Sequence, residues 1–330
     1  DPVTSDLAAE FNPAVAAAAW GAAAAWERIA GDAANLIHPA EVGPLLEIVA
    51  CFYDRQSGLW TEPLALTTNQ VVDRKPVVVA WTDGAGVLWI QNQGGASVGT
   101  AASGDRVCFA ATAGAGQWQQ PVILWEGPQG VLDLSAVCGP DGVLYAAWVV
   151  DEDGDPATRA DRELYSCTAF SLIWGVPVRL TRDAVEDADP SLAIIGTNPL
   201  FVWRSGGALT YAGMGQWNPR PVHQVEAEDA DVPPTLAAIP GGAALVYPLP
   251  GSIGTDVMVC TYDPALDQWC APRPLTADVD VEHSVAAAHG GADLVLACLR
   301  TQTIRTNKTV VIDGTTHHLR DLPQPGRTDL

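Results

Sequence analysis

An aromatic residue returns inside an apolar segment at Trp26, Trp89, Trp148 and Trp203, and Tyr247 and Cys298 continue the series. A second series, Trp60, Trp118, Trp174, Trp217 and Trp269, recurs at intervals of roughly 40–60 residues, the size of a unit of four short strands. Each unit reads alike. A short apolar run comes first, often opened by Pro, as at Pro13, Pro76, Pro190 and Pro234. A turn, usually with Gly, leads to the run that carries the first aromatic. A third run follows, then a tight turn, the second Trp and a Pro-containing fourth run. Runs of about 5–7 residues bounded by Gly, Pro and Asp read as antiparallel strands.

Six such units fill the chain, at about 13–67, 76–125, 134–181, 190–225, 234–276 and 284–322. A single sheet of this kind has exposed edges and two faces to cover. Radial repetition of face-to-face sheets solves both problems, so the expected fold is all-β, a six-bladed β-propeller of four-stranded antiparallel blades. Residues 323–330 read as an exit linker, which makes the chain one part of a larger protein. The Ala-rich stretch 12–37 would favour a helix by propensity, but its Pro13-Ala-Val aligns with Pro76-Val-Val and Pro190-Ser-Leu, and the repeat outweighs it. The insertion at 31–44 has room for a helical turn.

Composition narrows the function. The 17 Lys and Arg against 39 Asp and Glu give a formal charge of −22. Nucleic-acid binding needs a basic surface, so no nucleic-acid partner is expected. No apolar run approaches the length of a membrane-spanning helix, so no membrane insertion is expected either. Seven Cys is an odd number, and at least one thiol lacks a partner within the chain. Cys51, Cys108, Cys167 and Cys260 fall on equivalent third runs and read as small buried residues. Cys260 and Cys270 flank a hairpin that a disulfide would fit.

In the expected fold, the linkers between units and the loops between second and third runs lie on one face, and they hold most of the negative charge. That acidic face is either a solvated surface that aids solubility or a site for a cation or a protein or glycan partner. The densest segment is Asp151-Glu-Asp153-Gly-Asp155, followed by Asp161 and Glu163. Carboxylates alternating around a Gly suit a hard cation with 6–8 oxygen ligands. The expected metal site is therefore Asp151, Asp153 and Asp155, with calcium as the cofactor. Glu226, Glu228, Asp229 and Asp231 form a second acidic run. The six His (His38, His223, His283, His289, His317 and His318) include no HExxH pair, and no GxSxG or P-loop occurs. The first runs, which would line the channel, carry almost no ionisable side chain. No catalytic residue is assigned. Trp20 and Trp125 fall outside the two aromatic series and are the candidates for exposed, sugar-stacking rings.

The segments Val143-Leu-Tyr-Ala-Ala-Trp148, Glu163-Leu-Tyr-Ser, Trp174-Gly-Val-Pro-Val-Arg-Leu-Thr181 and Asp187-Ala-Asp-Pro-Ser-Leu192 resemble the blade repeat of sialidase-like, BNR-type propellers. The resemblance implies a propeller in a secreted or cell-surface protein. In sialidases it would also imply three Arg that clamp a carboxylate, a Tyr nucleophile and an acid partner. This sequence departs from that pattern. Tyr53-Asp54-Arg-Gln-Ser-Gly58-Leu-Trp60 only echoes the family's Asp-box, Asp263-Pro-Ala-Leu-Asp267-Gln-Trp269 lacks its Gly, and no Arg-Ile-Pro segment occurs. The expected function is a non-catalytic recognition or scaffold module with an acidic face for a partner or cation. The alternatives are a sialidase-like lectin or glycoside hydrolase, and a Ca²⁺-stabilised structural subunit.

Overall fold

The computed structural model describes residues 3–4, 8–30, 42–113, 117–224, 233–250, 254–278, 280–290, 293–303, 308–312, 315–319 and 323–329. The described residues are almost entirely β, and the Ala-rich 12–29 stretch is strand. Two compact units divide the chain near residues 190–200.

The first unit holds three antiparallel sheets. In sheet one, β1 (Glu10–Ala18), β2 (Gly21–Ile29) and β3 (Leu46–Asp54) run side by side, with β4 (Leu59–Trp60) and β5 (Leu64–Ala65) both on β3. Sheet two is β6 (Val72–Trp81), β7 (Gly84–Asn92), β8 (Asp105–Ala113) and β9 (Val122–Glu126). Sheet three is β10 (Gly130–Cys138), β11 (Leu144–Asp151) and β12 (Arg162–Phe170), again with a divided outer strand, β13 (Ile173–Trp174) and β14 (Val178–Arg179). The divided outer strands break around Pro63 and Pro177. Proline has no N–H to offer a ladder, and an edge strand interrupted by it is a poor template for further pairing. A 3-10 turn at Gly43–Leu45 leads into β3.

Sheet four, β15 (Asp187–Ile195), β16 (Asn198–Ser205), β17 (Ala208–Gly213) and β18 (Gln216–Gln224), follows the same order. The second unit continues with β19 (Thr235–Ile239), β20 (Gly242–Pro250), β21 (Thr255–Asp263), β22 (Gln268–Trp269) and β23 (Arg273–Pro274). It then forms the pair β24 (Val281–Gly290) and β25 (Asp293–Thr303). Here the last repeat departs from the expected pattern. β26 (Lys308–Ile312) and β27 (Thr315–Leu319) form a separate hairpin, and β28 (Pro323–Asp329) takes the place beside β25. The segment expected to be an exit linker is thus a paired strand. Its backbone pairs with the open edge of β25 at Thr301↔Thr328 and Arg300↔Asp329, a demand that composition alone does not reveal.

Packing follows the repeat. Ala23, Ala25, Ile48 and Phe52 of sheet one meet Val78, Val87, Trp89 and Cys108 of sheet two. Leu88, Ile90, Val107 and Phe109 on the other face of sheet two meet Leu144, Trp148 and Cys167 of sheet three. In the second unit, Val202, Leu209 and Tyr211 meet Leu245, Tyr247 and Cys260. The first aromatic series is the centre of each sheet: Trp89, Trp148, Trp203 and Tyr247 are at most 1% exposed. Burying one such ring removes about 150–250 Å² from water.

β1, β6, β10 and β24 start three or four residues earlier than the apolar runs suggest, because each is bulged, whereas β19 starts at Thr235, with its apolar run. Register breaks between Phe11 and Ala14, Arg74 and Val77, and Val131 and Leu134, and a shorter one falls between His283 and Val285. Asn12, Lys75 and Ser284 take positive φ values of 48–57° inside three of these breaks, Asp189 does so in β15, and Asn12, Lys75 and Asp189 each precede the repeating Pro. The bulge has a polar purpose. It lets an acid two residues upstream meet the indole of the facing strand: Trp26 Nε1 donates to Glu10 (2.9 Å), and Trp89 Nε1 donates to Asp73 (2.7 Å). Sheet three has Val131 at that position, and the Nε1 of Trp148 has no hydrogen-bond partner. On β24 the acid is present as Glu282, but β25 has Cys298 where the Trp would be; neither Glu282 oxygen accepts a hydrogen bond, and Arg300 stays 3.7 Å away.

Bulges also join neighbouring sheets. Buried Glu27 accepts from Asn12 Nδ2 of its own sheet (2.7 Å) and from the Lys75 N–H of the next (2.6 Å). Lys75 Nζ reaches Asp133 (2.6 Å) and the Leu132 carbonyl (2.8 Å) in the bulge of sheet three. Arg74 donates to Asp105 (2.7 Å) and to the Val131 carbonyl (2.9 Å). Asp54 and Asp263 cap the hairpins after β3 and β21 by accepting from the backbone N–H groups two and three residues on.

Two predictions follow from this core. Trp89→Phe should cost about 1 kcal/mol more than Trp148→Phe, since only the first loses a buried hydrogen bond, although Gln91 and Asn69 still donate to Asp73. Urea unfolding of both variants measures the difference, and equal losses would refute the role given to Asp73. Glu47 is buried, and desolvation pushes its pKa from 4.5 up to about 7 despite a hydrogen bond from Thr67. A carboxyl raised in the folded state opposes folding once ionised. The penalty is absent below pH 4.5, grows as pH rises and is complete above about pH 7. Glu47→Gln should therefore gain about 1–3 kcal/mol at pH 8 over its effect at pH 4.5. A pH-independent difference would contradict it.

Candidate functional site

β11 and β12 end their ladder at the pair Asp151–Arg162, and the loop between them carries the dense acidic segment. The loop is built from carboxylate-capped turns. Asp153 Oδ1 accepts the Asp155 N–H (2.8 Å), and Thr158 Oγ1 donates to both Asp153 oxygens (3.1 and 2.9 Å). Asp155 accepts the Ala157 N–H (3.0 Å). The Asp153 N–H donates to Asp161 Oδ2 (2.9 Å), which folds the end of the loop back onto its beginning. Gly154 has φ +69°, and a Cβ there would lie 2.7 Å from the Ala101 nitrogen in the loop of sheet two. Both the conformation and the close approach require glycine.

This folding brings Asp151, Asp153 and Asp161 together, with one oxygen from each lying within 4.8 Å of the others. Asp151 is 1% exposed. Neither of its oxygens accepts a hydrogen bond, and Asp161 Oδ1 is also buried without a partner. Desolvation, then the charges of Asp161 and Asp153, push Asp151 up to about 6, with Arg162 opposing the rise. Arg162 neutralises the group only in part. Its Nε stays 3.7 Å from Asp151, while Nη1 donates to Glu186 (2.7 Å) and Nη2 to the Pro156 carbonyl (3.2 Å).

Sheet two shows how the same position is satisfied by protein alone. Asn92, like Asp151, stands three residues after the buried Trp of its strand and closes the ladder there. Its Oδ1 accepts from Gly94 N (3.0 Å), Ala96 N (3.0 Å) and Ser103 Oγ (2.8 Å), while its Nδ2 donates to Asp105 (2.9 Å). Inward donors close that loop. In sheet three the corresponding group is an acid facing two further acids.

Of the residues singled out from sequence, Asp151 and Asp153 meet in the cluster. The Asp155 carboxylate caps the next turn instead, and Asp161, at the far end of the loop, faces the other two. Spacing along the chain favoured Asp155. The cue for Asp161 was its place at the end of a hairpin loop, opposite Asp151. Glu163 pairs with Arg179 (2.7 Å). The acidic run Glu226, Glu228, Asp229 and Asp231, and His38, lie outside the described residues. His283 contacts Thr301 Oγ1 (2.9 Å). Cys260 and Cys270 are unpaired thiols: Cys260 faces the core and Cys270 accepts from the Thr261 N–H (3.1 Å). Trp20 and Trp125 are not free platforms. Trp20 donates to the Trp81 carbonyl (2.9 Å) and packs on Phe52, and Trp125 packs edge-on to Tyr165.

No helix among the described residues is long and apolar enough to cross a membrane. No family model and no curated protein matches the sequence. Solved structures do match the fold. The Trypanosoma rangeli sialidase bound to the inhibitor DANA superposes with a TM-score of 0.59 at 9% identity, over 89% of this chain and 53% of that one. The NanB sialidase of Streptococcus pneumoniae gives 0.53 at 8% identity, over 87% of this chain and 65% of that one. A Dyadobacter fermentans protein of unknown function gives 0.59 at 13% identity, over 89% and 90%. The chain thus spans about half the length of the trypanosomal sialidase it matches, and nearly the whole of the Dyadobacter protein. Repeated four-stranded antiparallel sheets and these neighbours together identify a sialidase-like β-propeller fold.

Proposed function

We propose that the chain is a six-bladed propeller that serves as a non-catalytic recognition or scaffold module of a secreted or cell-surface protein. Its acidic loops would be the face offered to a protein or glycan partner. The observation that carries this reading is the use made of its arginines. A sialidase needs several guanidinium groups free to clamp a substrate carboxylate. Here Arg74, Arg106, Arg162, Arg179, Arg220 and Arg300 are each held by an acid of the chain itself. Past their charged beginnings, the first strands of neighbouring sheets, which would line the channel, run mainly through Ala, Val and Leu. Proximity and charge at a reaction centre are what such a site must supply, and these apolar stretches supply little of either.

One arrangement favours the sialidase-like alternative. The Tyr165 hydroxyl donates to Glu152 (2.6 Å), and Arg179 lies 3.4 Å from the same carboxylate. A tyrosine, an acid and an arginine are the types a sialidase uses. Burial, and then the bond to Glu152, push Tyr165 up to about 12, which is the wrong direction for a nucleophile. The ring is also packed between Trp125 and Trp148.

Incubation with a fluorogenic sialoside and a panel of aryl glycosides tests the reading, with the expectation of no turnover above the blank. Sialoside turnover that falls about 100-fold or more in Tyr165→Phe would replace the scaffold by the enzyme.

A further inference from the structure

We propose that Asp151, Asp153 and Asp161 bind one hard divalent cation, with Ca²⁺ as the fitting ion, and that this cation closes the loop of sheet three as protein donors close the loop of sheet two. Three observations converge. The carboxylates meet although the loop could have splayed them apart. Asp151 is buried and aimed into the cluster with both oxygens lacking a donor, and Asp161 adds a third such oxygen. At the corresponding position of sheet two, Asn92 is met by three protein donors, so the position itself is one that the fold satisfies.

Charge and size then select the ligand. Three carboxylates against one partly engaged guanidinium leave a net negative pocket, which suits a cation and excludes an anion or a neutral sugar. All the donors are oxygens, and no His or Cys stands among them, which favours a hard ion over zinc or copper. Oxygens that lie within 4.8 Å of one another can share one ion at Ca–O distances of about 2.4 Å, and an irregular, solvent-open loop suits the adaptable shell of Ca²⁺ better than the strict octahedron of Mg²⁺. Asp153 and Asp161 are accessible from solvent, so an ion can enter and complete its shell with water.

The bound ion would fix more than its own loop. Gly154 rests on Ala101 of sheet two, and Arg162 reaches Glu186 in the linker that follows sheet three. Neutralising Asp151 removes the pull on Arg162 and leaves it to Glu186. The proposal does not depend on whether the chain is an enzyme.

The test uses the full chain stripped of metal. Terbium luminescence excited through the tryptophans should report one site, and Ca²⁺ should displace Tb³⁺ while equimolar Mg²⁺ displaces far less. Millimolar Ca²⁺ should raise the melting temperature by several degrees over EDTA. Asp161→Asn should weaken binding by about tenfold or more, and Asp155→Asn should leave it unchanged. Asp161 is partly exposed and on a loop, so its substitution reads binding rather than folding. The absence of any Ca²⁺-dependent melting shift together with no displaceable Tb³⁺ would overturn the proposal. So would an Asp161→Asn variant that binds like the parent, or an Asp155→Asn variant that loses binding equally.

Discussion

A hydrogen bond between a carboxylate and a buried indole sets the register of the first strands of sheets one and two. A tryptophan in the middle of a sheet brings more apolar surface than any other residue, but its N–H must be met. The chain meets it from the neighbouring strand, and a plain antiparallel ladder would leave the acid out of reach. The bulge supplies the extra residue, and the left-handed residue at Asn12 or Lys75 supplies the turn. From that one device follow the offset of the first strand, the exposure of its bulge N–H and the link to the next sheet through Glu27 and Lys75. Sheet three and the β24–β25 pair show the device with one half missing. Val131 leaves the Trp148 indole unmet, and Cys298 leaves Glu282 unmet. The sheets still form, because apolar burial drives the packing and the hydrogen bond refines it.

The same logic governs the loops. The second strands of sheets two and three each end with a buried polar residue at the loop mouth, Asn92 and Asp151, where the sheet gives way to irregular backbone. Asn92 carries donors and acceptors and organises its loop alone. Asp151 can only accept, and its neighbours in the loop are also acceptors. Replacing an amide by an acid at a buried position therefore creates a demand for positive charge. Arg162 answers part of that demand from the facing strand, and it does so at 3.7 Å because Glu186 holds it too.

Much of the architecture was legible in the sequence, and for a physical reason. Trp and Pro are costly residues whose positions are set by the repeat, and so they recur in register. Pro13, Pro76 and Pro190 mark the bulge, and Pro63 and Pro177 mark the break in the outer strand. The Ala-rich first repeat folds as strand because its alanines fill the narrow gap against Val87 and Trp89, a tertiary fact that overrides propensity. The end of the last repeat was not legible. Lys308–Ile312 has the right pattern for a third strand, but β28 competes for the same edge, and pairing between distant segments leaves no local mark. The acidic site was half legible. The carboxylates were visible, but which of them converge depends on how the loop doubles back, and Asp161 is placed by a single hydrogen bond from the Asp153 N–H.

Most of the charge in such a chain is decided by its surroundings. Arg179 is held by Glu152 and Glu163, and Arg300 by Asp278 and Asp280, so the few cations are spent on the walls of the sheets. The acids in excess collect in the loops, where Asp151 has only a shared arginine at 3.7 Å. A scaffold with a packed apolar core changes its ligand most readily by changing those loops. The step from Asn92 to Asp151 at one position of the repeat, with the core untouched, is the size of change that would turn a loop closed by protein into a loop closed by an ion.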